Sequence, residues 1–280
     1  MGVLYDVMDA LLPFRWLEYT FMKHALLALL LITPLLGLLG TMAVDNKMAF
    51  FSDALGHSAL TGIALGVLLG IPDPMAAMLL FGVIAALLIT RIKQGRHGRS
   101  SSPDTVISVF SSTAIALGLA VLSRGGGFSK YANYLVGDVL SVSPDDLLVL
   151  AATLAAALFI WARLFNPLLM ASINPSLAAS RGIPARRAEY AFVALVAVVV
   201  MLSIRWVGVL LINSLLILPA AAARNLARNA AGYTRWSVAI AMVSGVAGLI
   251  ASYYLNTAAG AAVALVAAAA YFVTLPLRKQ

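Results

Sequence analysis

Asp53 and His57 stand four residues apart in the run Phe50-Phe-Ser-Asp-Ala-Leu-Gly-His-Ser-Ala-Leu-Thr-Gly62, at the start of an otherwise apolar segment. That spacing puts both side chains on one face of a helix. A carboxylate and an imidazole one turn apart can together ligate a divalent cation such as Zn²⁺, Mn²⁺ or Fe²⁺, with further ligands from another helix, another subunit or water. The same pair can relay a proton, or hold two helices together through a buried hydrogen bond. Ionisable groups are costly in hydrocarbon and normally turn toward a bundle interior or a cavity, which favours metal or proton handling.

Other polar residues carry less chemistry. Asp138 follows Gly137 in Tyr131-Ala-Asn-Tyr-Leu-Val-Gly-Asp138, a stretch that reads as a re-entrant or broken element through Asp146, and it either caps a helix or guards a pathway. Asn213 and Ser214 fall inside an apolar span that Pro219 should kink; they line a pathway or bond between helices. Asp104 reads as the cap of the fourth span, His24 as an interface residue, and His97 as a solvated residue among arginines. Small residues from Ala54 to Gly70, with Gly62, Gly66 and Gly70 at four-residue spacing, mark a face for close helix packing.

The elements that must position these residues follow from composition. Of 280 residues, 62% are apolar and 11% charged, against roughly 45–50% and about 25% in a soluble domain. A water-soluble globule is excluded, and the chain reads as an all-α polytopic membrane protein of eight to nine transmembrane helices. Spans fall near 20–44, 50–70, 74–92, 104–123, 145–164, 187–204, 206–223, 236–255 and 258–276. With the loop after the fifth span inside, most of the 19 Lys and Arg residues lie inside, which predicts N-terminus out and C-terminus in. The net charge of +8 is therefore a matter of topology, and no nucleic-acid partner is expected. Without cysteine, neither a disulfide nor a thiolate metal site can form.

Residues 1–19 read as an interfacial amphipathic segment rather than a cleavable signal, since Asp6, Asp9 and Glu18 stand where a basic n-region belongs. Residues 20–276 form the membrane domain, and 277–280 a short cytoplasmic tail. Between the fifth and sixth spans, Asn174-Pro175 opens and Gly182-x-Pro184 closes a two-turn helix over about 174–183. Flanked by Arg181, Arg186 and Arg187, it either rests on anionic lipid or docks a cytoplasmic motor. There is no Gly-x-x-x-x-Gly-Lys-Ser/Thr loop, so any ATP hydrolysis is expected on a separate chain. The absence of a His-Glu-x-x-His motif argues against an intramembrane metalloenzyme.

Four runs together carry a resemblance: Met48 to Gly62, Gly137 to Asp146, Pro175-x-x-Ala178-x-x-x-Gly182, and Val207-Gly-Val-Leu-Leu-x-x-Ser-Leu-Leu-Ile-Leu-Pro through Arg224. In order and spacing the chain resembles the zinc/manganese/iron family of ABC-importer permeases over nearly its whole length. The resemblance implies a homodimeric permease, a cytoplasmic ATPase dimer that carries the ATP, and an extracytoplasmic metal-binding protein. It implies the inner membrane of a prokaryote, no permanently bound cofactor, and a transported ion of zinc, manganese or iron. It also implies that Asp53 and His57 handle the metal and that Pro175, Ala178 and Gly182 belong to the coupling helix. The chain departs from many members at Asp45-Asn46-Lys47, Ser111-Ser112 and Asn256-Thr257, positions where relatives carry other charged or ligating groups, which leaves the metal open. A proton-coupled secondary transporter and a permease for a metal chelate are the alternatives.

Overall fold

A computed structural model describes residues 5, 8–9, 14–95, 102–124 and 137–277. The parts of the sequence reading that fall on 131–136, on the basic loop 96–101 with His97, on 278–280 and on much of 1–13 lie outside the described residues. Among those described no strands occur, and the main α-helices are α1 (Thr20–Asp45), α2 (Phe51–Leu68), α3 (Pro74–Gln94), α4 (Pro103–Arg124), α5 (Pro144–Ile173), α6 (Pro175–Ser180), α7 (Ala185–Leu226), α8 (Ala230–Leu255) and α9 (Ala259–Thr274). Eight are long and apolar enough to cross a membrane; α6 is the exception. The protein is an all-α polytopic membrane protein.

Three boundaries differ from the sequence reading. The fifth helix does not stop near 164 but runs through Pro167 to Ile173. Arg163, near the expected end of the span, therefore lies well inside the helix, and its guanidinium sits 5.0 Å from the Phe159 ring centroid. The expected break between the sixth and seventh spans lies at Gly208 rather than Arg205. Gly208 has φ 78° and ψ 160°, a conformation open essentially to glycine alone. The 42 residues of α7 would form a rod about 63 Å long, twice a bilayer core. Gly208 divides them into two helices of roughly 20 residues, each about the length that crosses one bilayer core. Finally, α4 is capped by Ser102, not Asp104. The Ser102 hydroxyl accepts the Thr105 N–H at 3.2 Å, and Asp104 occupies the first turn, where its charge meets the positive end of the helix dipole.

Contacts group the chain into two compact units. The first comprises Met1–Thr41, Asp138–Ala156 and Trp206–Gln280. Small residues bring several of its helices into close approach, as suits a medium that gives no hydrophobic drive between helices. Ser237 donates to the Gly37 carbonyl at 2.5 Å. A side chain at Gly248 would meet the Val263 backbone, and one at Gly40 the Leu216 carbonyl. Trp16 and Leu17 are buried, and Lys23 pairs with Asp9 at 2.6 Å. His24 is not a bare interface residue: Nδ1 lies 2.9 Å from the Val142 carbonyl and Nε2 2.5 Å from the Tyr5 hydroxyl.

The second unit comprises Met42–Gly137 and Ala157–Arg205. Here α2 lies against α3 and α4. A Cβ at Gly62 would meet Met78 and Ala77, and one at Gly66 would meet Ala77, so part of the small-residue face exists to bring α3 close. Gly70 falls outside the helix, in the turn toward α3, with φ 70°. The Thr61 hydroxyl donates to the Ala114 carbonyl of α4, and Gly118 of α4 backs onto Thr61. These contacts fix the rotation of α2, and hence the direction in which Asp53 and His57 point.

Candidate functional site

The chain enters α2 through a tight return. Lys47 takes φ 56°, and the Met48 N–H reaches back to the Ala43 carbonyl at 2.8 Å. Asp53 stands in the first turn of α2 and His57 one turn further, with Nε2 3.5 Å from Asp53 Oδ2. Their side chains are 48% and 37% exposed respectively, so burial has not closed them off. Both line a cavity of about 270 Å³ between α2 and α4. Its opposite wall carries Ser108, Ser111 and Ser112, and Phe50 and two isoleucines supply the apolar rim.

A second cavity, about 280 Å³, lies between α2, α3 and α4 and is lined by groups such as Phe81, Ile84, Leu88 and Phe110. It brings no ionisable group. Of these two cavities, the one with ionisable groups on its wall is that of Asp53 and His57. Among the described residues no three His, Asp or Glu side chains gather closely enough to hold a metal ion. One copy of the chain offers one imidazole and one carboxylate at this place, and a full coordination shell needs donors from elsewhere.

The other candidate residues stand apart from this pair in the chain's organisation. Asp138 begins the first unit's second segment and caps a short turn at Val139–Ser141, its Oδ1 accepting the Leu140 N–H at 3.0 Å. Ser214 returns its hydroxyl to the Leu210 carbonyl at 2.7 Å, and Asn213 lies beside it on the part of α7 beyond Gly208. The structure forms α6 with Asn174 Oδ1 accepting the Leu177 N–H at 3.0 Å. Gly182 at φ 69° closes the helix, with its N–H on the Ala179 carbonyl and the Ile183 N–H on the Ala178 carbonyl. Ala178 is fully buried, whereas Leu177 is 41% exposed.

Two features escape the sequence reading. Ser108 joins Ser111 and Ser112 on one face by its three- and four-residue spacing, a helical pattern present in the sequence. Glu189, in the first turns of α7, accepts from Lys93 Nζ at 2.9 Å and Gln94 Nε2 at 2.5 Å. Its partners are nearly a hundred residues away, and no local pattern announces them.

This architecture can be set beside known proteins. The model of the ABC 3 transport family matches residues 18–278. The chain belongs to the ABC 3 transport family. It is a permease, the non-catalytic membrane subunit of an ABC transporter, whose ATPase is a separate chain. It is 31% identical to the high-affinity zinc uptake system membrane protein ZnuB of Haemophilus influenzae, over 91% of this chain and 97% of that one. It is 29% identical to the manganese import system permease protein ScaB of Streptococcus parasanguinis, over 92% and 90%. Among solved structures, PsaBC from Streptococcus pneumoniae, in complex with Fab, superposes with a TM-score of 0.78 at 27% identity, covering 98% of the permease and 95% of that chain.

Proposed function

We propose that the permease imports a divalent transition-metal ion, zinc, manganese or iron, and that Asp53 and His57 are its ligands on the pathway. The observation that carries this reading is their joint placement on the wall of one cavity with both side chains half open. Relatives named for zinc uptake and for manganese import support the ion class. In a homodimer, a second copy adds a second carboxylate and imidazole, which completes a shell that one chain leaves at two ligands. The ion is weakly enough held in such a shared, half-open site to be passed on.

The working assembly is two permeases in the inner membrane of a prokaryote, a cytoplasmic ATPase dimer, and an extracytoplasmic protein that delivers the metal. With the N-terminus out, the start of α2 and the short α6 fall on the cytoplasmic side. There α6 docks on the ATPase. Pro175 starts it, Gly182 ends it, and the buried Ala178 seats it on the permease while Leu177 faces outward. Asp138, Asn213 and Ser214 are assigned to the pathway lining, with no part in ligation.

The test is metal uptake into proteoliposomes holding the permease with its ATPase and binding protein. ATP-dependent accumulation of one ion is expected, lost in His57→Ala. Accumulation driven by a pH gradient without ATP would overturn the reading and make the pair a proton relay.

A further inference from the structure

The hydroxyls on the cavity wall opposite Asp53 and His57 are not held by their own helix, unlike many others in the protein. A serine or threonine in an apolar helix normally returns its hydroxyl to a carbonyl of the preceding turn. Ser58 does so to Ala54 at 2.7 Å, Thr90 to Ala86 at 2.9 Å, and Thr153 to Val149 at 2.8 Å. On α4 itself Thr113 bonds to Val109 at 2.8 Å and Ser123 to Ala120 at 3.0 Å. Ser108, Ser111 and Ser112, on the face that lines the cavity, have no hydrogen-bond partner among the described residues. Three hydroxyls thus face the same space as a carboxylate and an imidazole without being satisfied by their own helix.

A four-coordinate ion leaves such hydroxyls only hydrogen bonds to its ligating carboxylates and imidazoles. Two carboxylates and two imidazoles from a pair of permeases already complete the tetrahedron that Zn²⁺ takes. A six-coordinate ion in the same shell keeps water ligands, and those waters need acceptors for their protons. The cavity, about 270 Å³ in one copy, has room for them at about 30 Å³ per water. We propose that Ser108, Ser111 and Ser112 hold the water shell of a six-coordinate, oxygen-preferring ion of the Mn²⁺ type, so that this wall sets the coordination geometry of the site. The inference rests on Asp53 and His57 being the ligands, and it adds the class of ion they are built for.

Because nitrogen and oxygen sites bind Zn²⁺ more tightly than Mn²⁺ as a rule, absolute affinities do not test the idea; geometry and the change in ratio do. The probe is Co²⁺, added to the purified permease–ATPase complex, because six-coordinate Co²⁺ absorbs weakly in the visible and four-coordinate Co²⁺ strongly. The wild type is expected to give the weak spectrum. The triple variant Ser108→Ala, Ser111→Ala, Ser112→Ala is expected to give the strong one, with Mn²⁺ affinity relative to Zn²⁺ reduced about tenfold, the size of one or two lost hydrogen bonds. Ser58→Ala, whose hydroxyl is tied to its own helix, is the control that leaves both unchanged. Should the triple variant fold poorly, Ser108→Ala and Ser112→Ala, both at exposed positions, carry the same comparison singly with smaller changes.

An intense four-coordinate spectrum in the wild type, or an unaltered spectrum and ratio in the serine variants, overturns the proposal. If Co²⁺ instead binds undiminished to Asp53→Ala and His57→Ala, the ligand assignment itself fails, and the two failures are told apart.

Discussion

Two polar sites in the same unit are built in opposite ways. Lys93, Gln94 and Glu189 form a closed cluster: Lys93 and Glu189 are 18% and 21% exposed, their charged atoms are 2.9 Å apart, and the second Glu189 oxygen takes the Gln94 amide. Lys93 also reaches the Asn46 carbonyl at 3.5 Å, in the return that leads into α2. Asp53 and His57, a few residues further on, are more than a third exposed and 3.5 Å apart. The first cluster satisfies its charges internally and ties the end of α3, the first turns of α7 and the entry to α2 to one another. The second is held open on a rigid helix. The Lys93–Glu189 pair is shielded and short, whereas the Asp53–His57 pair is longer and open to solvent, as the proposed transport role requires.

The largest expected effect comes from the open site. Asp53→Asn and His57→Ala should each abolish ATP-dependent metal uptake, while unfolding stability shifts by no more than about 0.5 kcal/mol, as for substitutions at positions that remain open to solvent. Uptake measured beside a thermal melt checks both halves. A large loss of stability would place Asp53 and His57 with the closed cluster and remove the contrast.

The closed cluster should respond in the reverse order. Glu189→Ala leaves a mostly buried lysine without its carboxylate and should cost roughly 2–3 kcal/mol, somewhat less than a fully buried pair because about a fifth of each side chain meets solvent. Adding Lys93→Met should recover much of that loss, since no unpaired charge then remains. Denaturation of the single and double variants gives the coupling energy. Additive losses would show that the two charges stand independently.

How far the sequence reveals each site follows from this difference. Asp53 and His57 announce themselves by their type, their spacing, and the apolar residues around them. The short helix α6 is legible as well, because Asn174, Pro175, Gly182 and Pro184 act locally. Glu189 carries no such signal, because its role exists only once α3 and α7 pack. The break in α7 was misplaced by three residues for a related reason. Arg205 is the visible polar interruption, but the backbone turns where a positive φ is needed, and Gly208 alone of its neighbours supplies that at low cost. Gly208→Ala should therefore destabilise the permease by about 1–2 kcal/mol, whereas Arg205→Ala, at an exposed position, should be close to neutral. Equal effects in a melt would return the break to Arg205. The Ser108 face was readable from its spacing, but its importance depends on what stands across the cavity.

The helix α6 lies between the two kinds of site, with a satisfied backbone and an open outer face. Asn174→Ala removes the side chain that accepts the Leu177 N–H and should weaken the helix by about 1 kcal/mol. Asn174→Asp keeps the acceptor and should restore it. Leu177→Ala leaves the cap intact and removes exposed apolar surface, so its melt should be unchanged. If α6 docks on the ATPase, Leu177→Ala nonetheless reduces co-purification of the ATPase and uncouples hydrolysis from uptake, and Asn174→Ala does so more weakly. Retention of full coupling in Leu177→Ala, with a loss only in Asn174→Ala, would make α6 a structural connector and group it with Lys93 and Glu189.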